Sequence, residues 1–244
     1  LVFINGKESE VDRIIGFLPP EQFMNRTKDI LDNKNTVPDL ENRLTVDPSN
    51  REILHTLAEK YEDMGYDDGA SDLYTQLLKN YPDDDSEDIN RARYYMAMSR
   101  FYEGDKSDIE TFIKKYPGSE YVHTTYEKVS RYYQSIADTT NEIRVLKEFV
   151  MKFPDDPGAL NGYAWRMSEL QKNMEDALIK ARHAVDLLAG DPEYQANVID
   201  TEAELLHRLG RQAEAISTIE KAITIDPESQ YFQNQKAKFS GQTS

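Results

Sequence analysis

The residues able to do chemistry are few and scattered. Four histidines, His55, His123, His183 and His207, stand apart in the chain. None is paired at the HExxH spacing that sets two imidazoles on one helix face around zinc, and no second ligand cluster accompanies them. There is no cysteine, which excludes disulfides and thiolate metal sites from this chain while leaving its compartment open. A Gly-rich phosphate loop and a GxSxG nucleophile elbow are both missing. The run Asp83-Asp84-Asp85-Ser86-Glu87-Asp88 lacks the Gly and spaced ligands of a calcium loop. It reads as a loop leading into a negatively charged helix start. Paired-acid catalysis needs two carboxylates in one shielded pocket, which sequence alone does not display. Asn25-Arg26-Thr27 matches a glycosylation sequon but lies inside an expected helix, where it reads as chance. The expectation is therefore no catalytic residue, no metal and no cofactor: not an enzyme, but a chain that binds.

Charge narrows what it binds. A formal net charge of -16 disfavours nucleic acid, whose phosphates need Lys and Arg, and anionic membrane surfaces equally. No apolar run is long enough to span a bilayer. Eleven acids against Lys60 and Lys79 crowd the window Glu59–Asp88. Such a run is ordinarily a solvated face; the other reading is attraction to a basic segment of a partner protein. Localisation is not readable.

The elements that must position a binding surface are periodic. Reading back from Pro227, further prolines stand at Pro192, Pro154, Pro117, Pro82 and Pro48, separated by 35, 38, 37, 35 and 34 residues, and all six read as helix stops. A period of that size marks stacked helical hairpins, and 39% apolar residues suit such an array better than one spherical core. The clearest copy is Asp200–Pro227, two amphipathic patterns broken at Gly210. Ser49–Pro82 is a second complete unit, with Leu57-Ala58, Tyr61, Gly65, Ala70, Tyr74 and Pro82 in order. The alanines let antiparallel helices approach closely, Gly65 can take the left-handed conformation that ends a helix, and Pro82 cannot continue one.

These residues and offsets resemble the tetratricopeptide repeat. The resemblance implies an all-α helical-hairpin solenoid of about five repeats over 49–239, closed by a capping helix at Ser229–Phe239, with Ser240–Ser244 frayed. Helical pairs are expected at 89–116, 120–152, 157–188 and 193–227. Two positions depart from the pattern: Glu142 stands where Ala is usual, and Glu202 where a large apolar residue is usual. In this family the first helix of each pair lines a concave groove that holds extended peptides or partner helices. Carried over by position, the groove residues are Glu52, His55, Glu59 and Glu62, then Glu127, Arg131 and Gln134, then Asn161, Trp165 and Ser168, then Asp200, Glu204 and His207. The family's clamp for a terminal carboxylate uses Lys and Asn; His55 and Glu59 stand in the matching region, so that mode is not expected. The implied role is a protein–protein interaction scaffold.

Residues 1–33 are different. Leu1–Ile4 is a short apolar strand, Asn5-Gly6 a turn, Val11, Ile14 and Ile15 a second strand, and Pro19-Pro20 opens a helix with Phe23, Ile30 and Leu31 on one face. This strand–turn–strand–helix order resembles the last third of a thioredoxin-like domain. That family's redox cysteines and cis-proline precede this stretch, so no catalytic position falls within it. A strand apolar on both faces expects neighbours and cover on both sides. The expectation is a remnant at 1–33 and a linking helix at 34–48, with Leu40, Leu44 and Val46 apolar. An alternative function follows, in which this chain is the C-terminal part of a thiol-disulfide oxidoreductase. Another alternative is a homo-oligomer formed through residues 1–33.

Overall fold

The structure, a computed structural model, describes residues 1–241, so the expected fraying of residues 242–244 lies outside the described residues. The chain divides into two compact units, Leu1–Thr125 and the part from Tyr126 on. Two short strands, β1 (Val2–Ile4) and β2 (Glu10–Arg13), open the first unit as an antiparallel hairpin. Helices α1 (Pro20–Leu31), α2 (Val37–Val46), α3 (Arg51–Met64), α4 (Asp67–Asn80), α5 (Glu87–Tyr102) and α6 (Ser107–Lys115) follow. Helix α7 (Tyr121–Ser135) begins in the first unit and ends in the second. The second unit continues with α8 (Thr139–Lys152), α9 (Pro157–Leu170), α10 (Met174–Leu187), α11 (Pro192–Arg208), α12 (Gln212–Ile225) and α13 (Gln230–Phe239). Helices α3 to α12 form five consecutive pairs among the described residues, as the proline period predicts, and α13 is the expected cap.

Local chemistry explains where the helices start and stop. Asn50, Asp138, Asp156, Asp191 and Ser229 each accept a hydrogen bond from a backbone N–H in the first turn that follows. Gly65 sits at φ +74° between α3 and α4, and Gly210 at φ +76° between α11 and α12, which is the left-handed cap. Pro192 corrects the sequence reading. It does not stop α10, which has already ended at Leu187; it occupies the first position of α11 behind the Asp191 cap, where its missing N–H costs nothing.

The pairs close on small residues. Ala58 and Ala70 are fully buried between α3 and α4, as are Ala164, Ala177 and Ala181 between α9 and α10, and Ala203, Ala215 and Ala222 between α11 and α12. Phe232 and Phe239 of α13 are buried, covering the apolar face of the last pair. Two apolar expectations fail by simple geometry. Val46 lies two residues past Leu44 and Leu31 one past Ile30, so both rotate off the buried stripe and are exposed.

The hairpin packs on α2 and α3. Asp12 of β2 is buried and takes hydrogen bonds from Lys60 Nζ of α3, at 2.9 Å to each oxygen, and from Arg26 of α1. Arg13 Nη1 donates to the Asp63 carbonyl at 2.5 Å. The apolar cover expected around β1 is not found among the described residues, since Leu1, Val2 and Ile4 are exposed, as are Ile15 and Phe17 nearby.

Candidate functional site

In the first unit the groove positions are engaged by the chain itself. Arg91 of α5 reaches back to α3, with Nε 3.1 Å from Glu59 and Nη2 3.4 Å from Glu62. Glu62 also accepts from the Tyr74 hydroxyl, and His55 Nδ1 lies 3.5 Å from Glu59. One arginine thus partly neutralises Glu59 and Glu62, two of the acids assigned to the first groove positions. Arg51 extends the same pattern from α3 to α5, pairing with Asp88 at 2.5 Å and with Asp84 at 2.7 Å.

At the far end of the second unit the sequence reading needs correction. Repeat spacing predicts Asp200 and Glu204 on an open groove, but they are 4% and 2% exposed. The cap lies over them: Tyr231 donates to Asp200 Oδ2 at 2.8 Å, and Lys238 Nζ to Glu204 Oε2 at 2.6 Å. Arg208 Nε adds a 2.6 Å bond to Glu204, and the His207 ring sits 5.0 Å from that of Phe239. The last helix of an array must hide an apolar face, and here α13 takes the polar residues with it. Burial pushes the Asp200 carboxyl above its ordinary range. It pushes Glu204 up as well, but the Lys238 and Arg208 hydrogen bonds outweigh it and hold Glu204 below its ordinary range.

Within the second unit a cleft stays open. It has a volume of about 340 Å³. Its walls are the first helices of two successive pairs, with Glu127, Arg131 and Gln134 on α7 and Gly162 and Trp165 on α9. Leu146 and Phe149 of α8, both buried, form the apolar base. Four residues assigned to the groove from sequence therefore converge here, and Trp165 keeps 37% of its surface exposed. Asn161 and Ser168 do not line it. Asn161 is half-buried, with its Oδ1 enclosed and lacking a hydrogen-bond partner among the described residues, and Ser168 is buried.

Arg166 and Glu142 also line the cleft but are committed to each other. Arg166 donates from Nε to Glu142 Oε1 at 2.6 Å and from Nη1 to Glu169 at 2.9 Å. Arg131 makes no ion pair among the described residues, and neither does Glu127. The charges available to a ligand are thus one cation and one anion a helical turn apart, beside an indole face.

The glycines of α9 escaped the sequence reading. Gly162 sits in a helix interior, where Ala would be better by about 1 kcal/mol. A Cβ built on it meets nothing within 4 Å, so internal packing does not require the glycine. Its effect is to leave backbone exposed at the cleft wall. A glycine one residue before Tyr163-Ala164 and three before Trp165 was the available signal.

Residues 201–229 match the tetratricopeptide repeat family. The fold is that of a tetratricopeptide-type helical-hairpin array. YrrB, described as a tetratricopeptide protein with an unusual peptide-binding site, is similar at a TM-score of 0.53 and 14% identity, over 81% of this chain and 97% of its own. MamA from Desulfovibrio magneticus RS-1 (residue 41 to its end) gives 0.50 at 14% identity, over 74% of this chain and 97% of that one. The Naa15/Naa10 complex bound to HypK-THB gives 0.50 at 19% identity, covering 84% of this chain and 30% of that one. No curated protein sequence matches at a significant level. Among the described residues no group of three His, Asp or Glu side chains could hold a metal ion, and no helix is long and apolar enough to cross a membrane.

Proposed function

We propose that this chain is a non-catalytic interaction scaffold that holds a partner protein in the cleft between α7 and α9. The observation that carries the reading is the convergence of Glu127, Arg131, Gln134 and Trp165 on one cleft with an apolar base. Trp165 keeps part of its indole exposed at this cleft. An aromatic face over an apolar floor, flanked by side chains free to hydrogen-bond, suits an extended peptide that brings one apolar residue and its own backbone polar groups. Glu59, Glu62, Asp200, Glu204 and His207 serve to join successive helices, His55 pairs with Glu59 on its own helix, and none of them is part of this contact.

Trp165 is the only tryptophan, so its fluorescence reports on the cleft directly. Peptide pools of basic, acidic and neutral composition are titrated while Trp165 emission is followed. A saturable blue shift with one pool, reduced by Arg131→Ala, is expected. Binding that leaves the emission unchanged would place the partner elsewhere and sink the reading.

A second reading concerns residues 1–33. The strand–strand–helix order, with Leu1, Val2, Ile4, Ile15 and Phe17 exposed, favours a surface that another sheet or domain covers, as in a thioredoxin-like protein. On this reading the array from 49 to 239 would deliver partners to a redox domain, with 34–48 as the link. The upstream coding sequence tests it, and absence of a CxxC there removes the redox part.

A further inference from the structure

The first unit carries a second cleft, of opposite electrostatic character to the chain as a whole. It lies among α4, α5 and α6, where a pair departs from the regular pattern: α6 has 9 residues against 14 in α4. The short helix leaves Leu78 and Met96 only partly covered, and together with the buried Phe112 they floor an opening of about 340 Å³. Around this apolar floor stand Arg93, Arg100 and Lys115, against a single carboxylate, Asp108. Asp108 is engaged by Arg100 at 2.5 Å. Arg93 lies 4.3 Å from the centroid of the Tyr116 ring and donates to the Pro82 carbonyl at 2.9 Å. Lys115 Nζ lies 5.4 Å from the same ring. Neither Arg93 nor Lys115 has a carboxylate partner among the described residues. In a chain with a net charge of -16, two cations share one aromatic ring without a counter-ion.

We propose that this cleft is a docking site for an acidic peptide segment carrying an aliphatic side chain. A carboxylate placed at Tyr116 would meet both uncompensated cations at once, and relieve their mutual repulsion. The neighbouring aliphatic side chain would cover Leu78 and Met96. The apolar floor decides between anionic partners: a phosphate backbone brings no apolar group to fill it, and a long polyanion would face the charge of the whole chain. This site is lined by α4 and α6, the second helices of successive pairs, with α5 between them, and it shares no residue with the Trp165 cleft, so the two readings stand or fall separately.

The test uses the full chain and fluorescein-labelled dodecapeptides read by anisotropy. The first alternates Glu with Leu, the second replaces Glu by Gln, and the third replaces Leu by Ser. The Glu/Leu peptide is expected to bind about tenfold more tightly than either relative, and to weaken as salt is raised. Lys115→Glu is expected to cost about tenfold, whereas Lys114→Glu, the same charge change on an exposed neighbour outside the cleft, costs less than about twofold. The melting temperature of both variants serves as the control for folding. Equal binding of the Gln/Leu peptide, equal losses in the two lysine variants, or tighter binding of a short DNA duplex would each overturn the proposal.

Discussion

Arg166 of α9 holds Glu142 of α8 by two hydrogen bonds, Nε to Oε1 at 2.6 Å and Nη2 to Oε2 at 3.1 Å. The two partners are unequal. Glu142 is buried at the position where alanine is usual, whereas Arg166 keeps some contact with solvent and a second partner in Glu169. Removing the arginine strands a buried carboxylate, and Arg166→Met is expected to cost about 3 kcal/mol. Removing the carboxylate leaves a cation that water and Glu169 still serve, so Glu142→Ala is expected to cost about 1 kcal/mol or less. Urea denaturation followed by circular dichroism ranks the two. The reverse order would mean that Glu142 contributes by packing rather than as a buried charge.

Asp200 and Glu204 sit one turn apart on α11 under the same capping helix, yet they respond to pH in opposite senses. Burial raises Asp200 above its ordinary value of 3.8. The folded state therefore favours the protonated acid, and the stabilisation present below 3.8 is lost as pH rises through the raised value. Glu204 is lowered from 4.5 by Lys238 and Arg208 against the pull of burial. Its contribution is present above 4.5 and lost as pH falls through the lowered value. Asp200→Asn is thus expected to raise the neutral-pH melting temperature and to have no effect in acid. Glu204→Gln is expected to lower it at neutral pH by the equivalent of about 1 kcal/mol, the loss fading in acid. Melting curves across the acid range check both signs, and a shift of both variants in one direction at neutral pH would contradict the assignment.

Much of this architecture was legible in the residues. The proline period marked the pairs because proline cannot sit inside a helix, whether it follows one, as Pro227 does, or opens one, as Pro192 does. Ala58, Ala70 and Gly65 named close approach and a left-handed cap, and the structure places each there. The site was legible in part. Helical spacing puts Glu127, Arg131 and Gln134 on one face of α7, and the tetratricopeptide resemblance implied that Trp165 of the next pair shares their groove. What spacing could not show is which groove residues another helix would claim. Arg91 and Arg166 lie one pair away from the acids they bind, and Lys238 is 34 residues from Glu204. A glutamate at a packing position does demand a cation, so Glu142 and Glu202 were pointers. The second is met by Arg182 at 2.8 Å.

Asp12 fastens the hairpin to the first unit. Both Lys60 of α3 and Arg26 of α1 pair with its carboxylate, which is almost fully buried. Asp12→Ala would leave two partly buried cations facing each other, a loss of about 3 kcal/mol in the contact between residues 1–33 and the helices. Amide hydrogen exchange is expected to accelerate in β1 and β2 while α3 and α4 remain protected. Uniform acceleration across the first unit would show instead that the hairpin is integral to its core.

Gly162 offers a direct test of whether the α7–α9 cleft is kept open for a partner. A Cβ at this helix-interior position meets nothing within 4 Å, so Gly162→Ala removes backbone freedom from the unfolded chain without a clash. It is expected to stabilise the second unit by about 0.5–1 kcal/mol. If the glycine is retained for binding, a larger side chain should then act on the partner alone. Gly162→Leu fills the cleft beside Trp165, and is expected to keep the added stability while abolishing the Trp165 emission response to the bound peptide. Parallel thermal melts and fluorescence titrations on the two variants separate these effects. Retained binding in Gly162→Leu would show that the open backbone at this wall has no part in recognition.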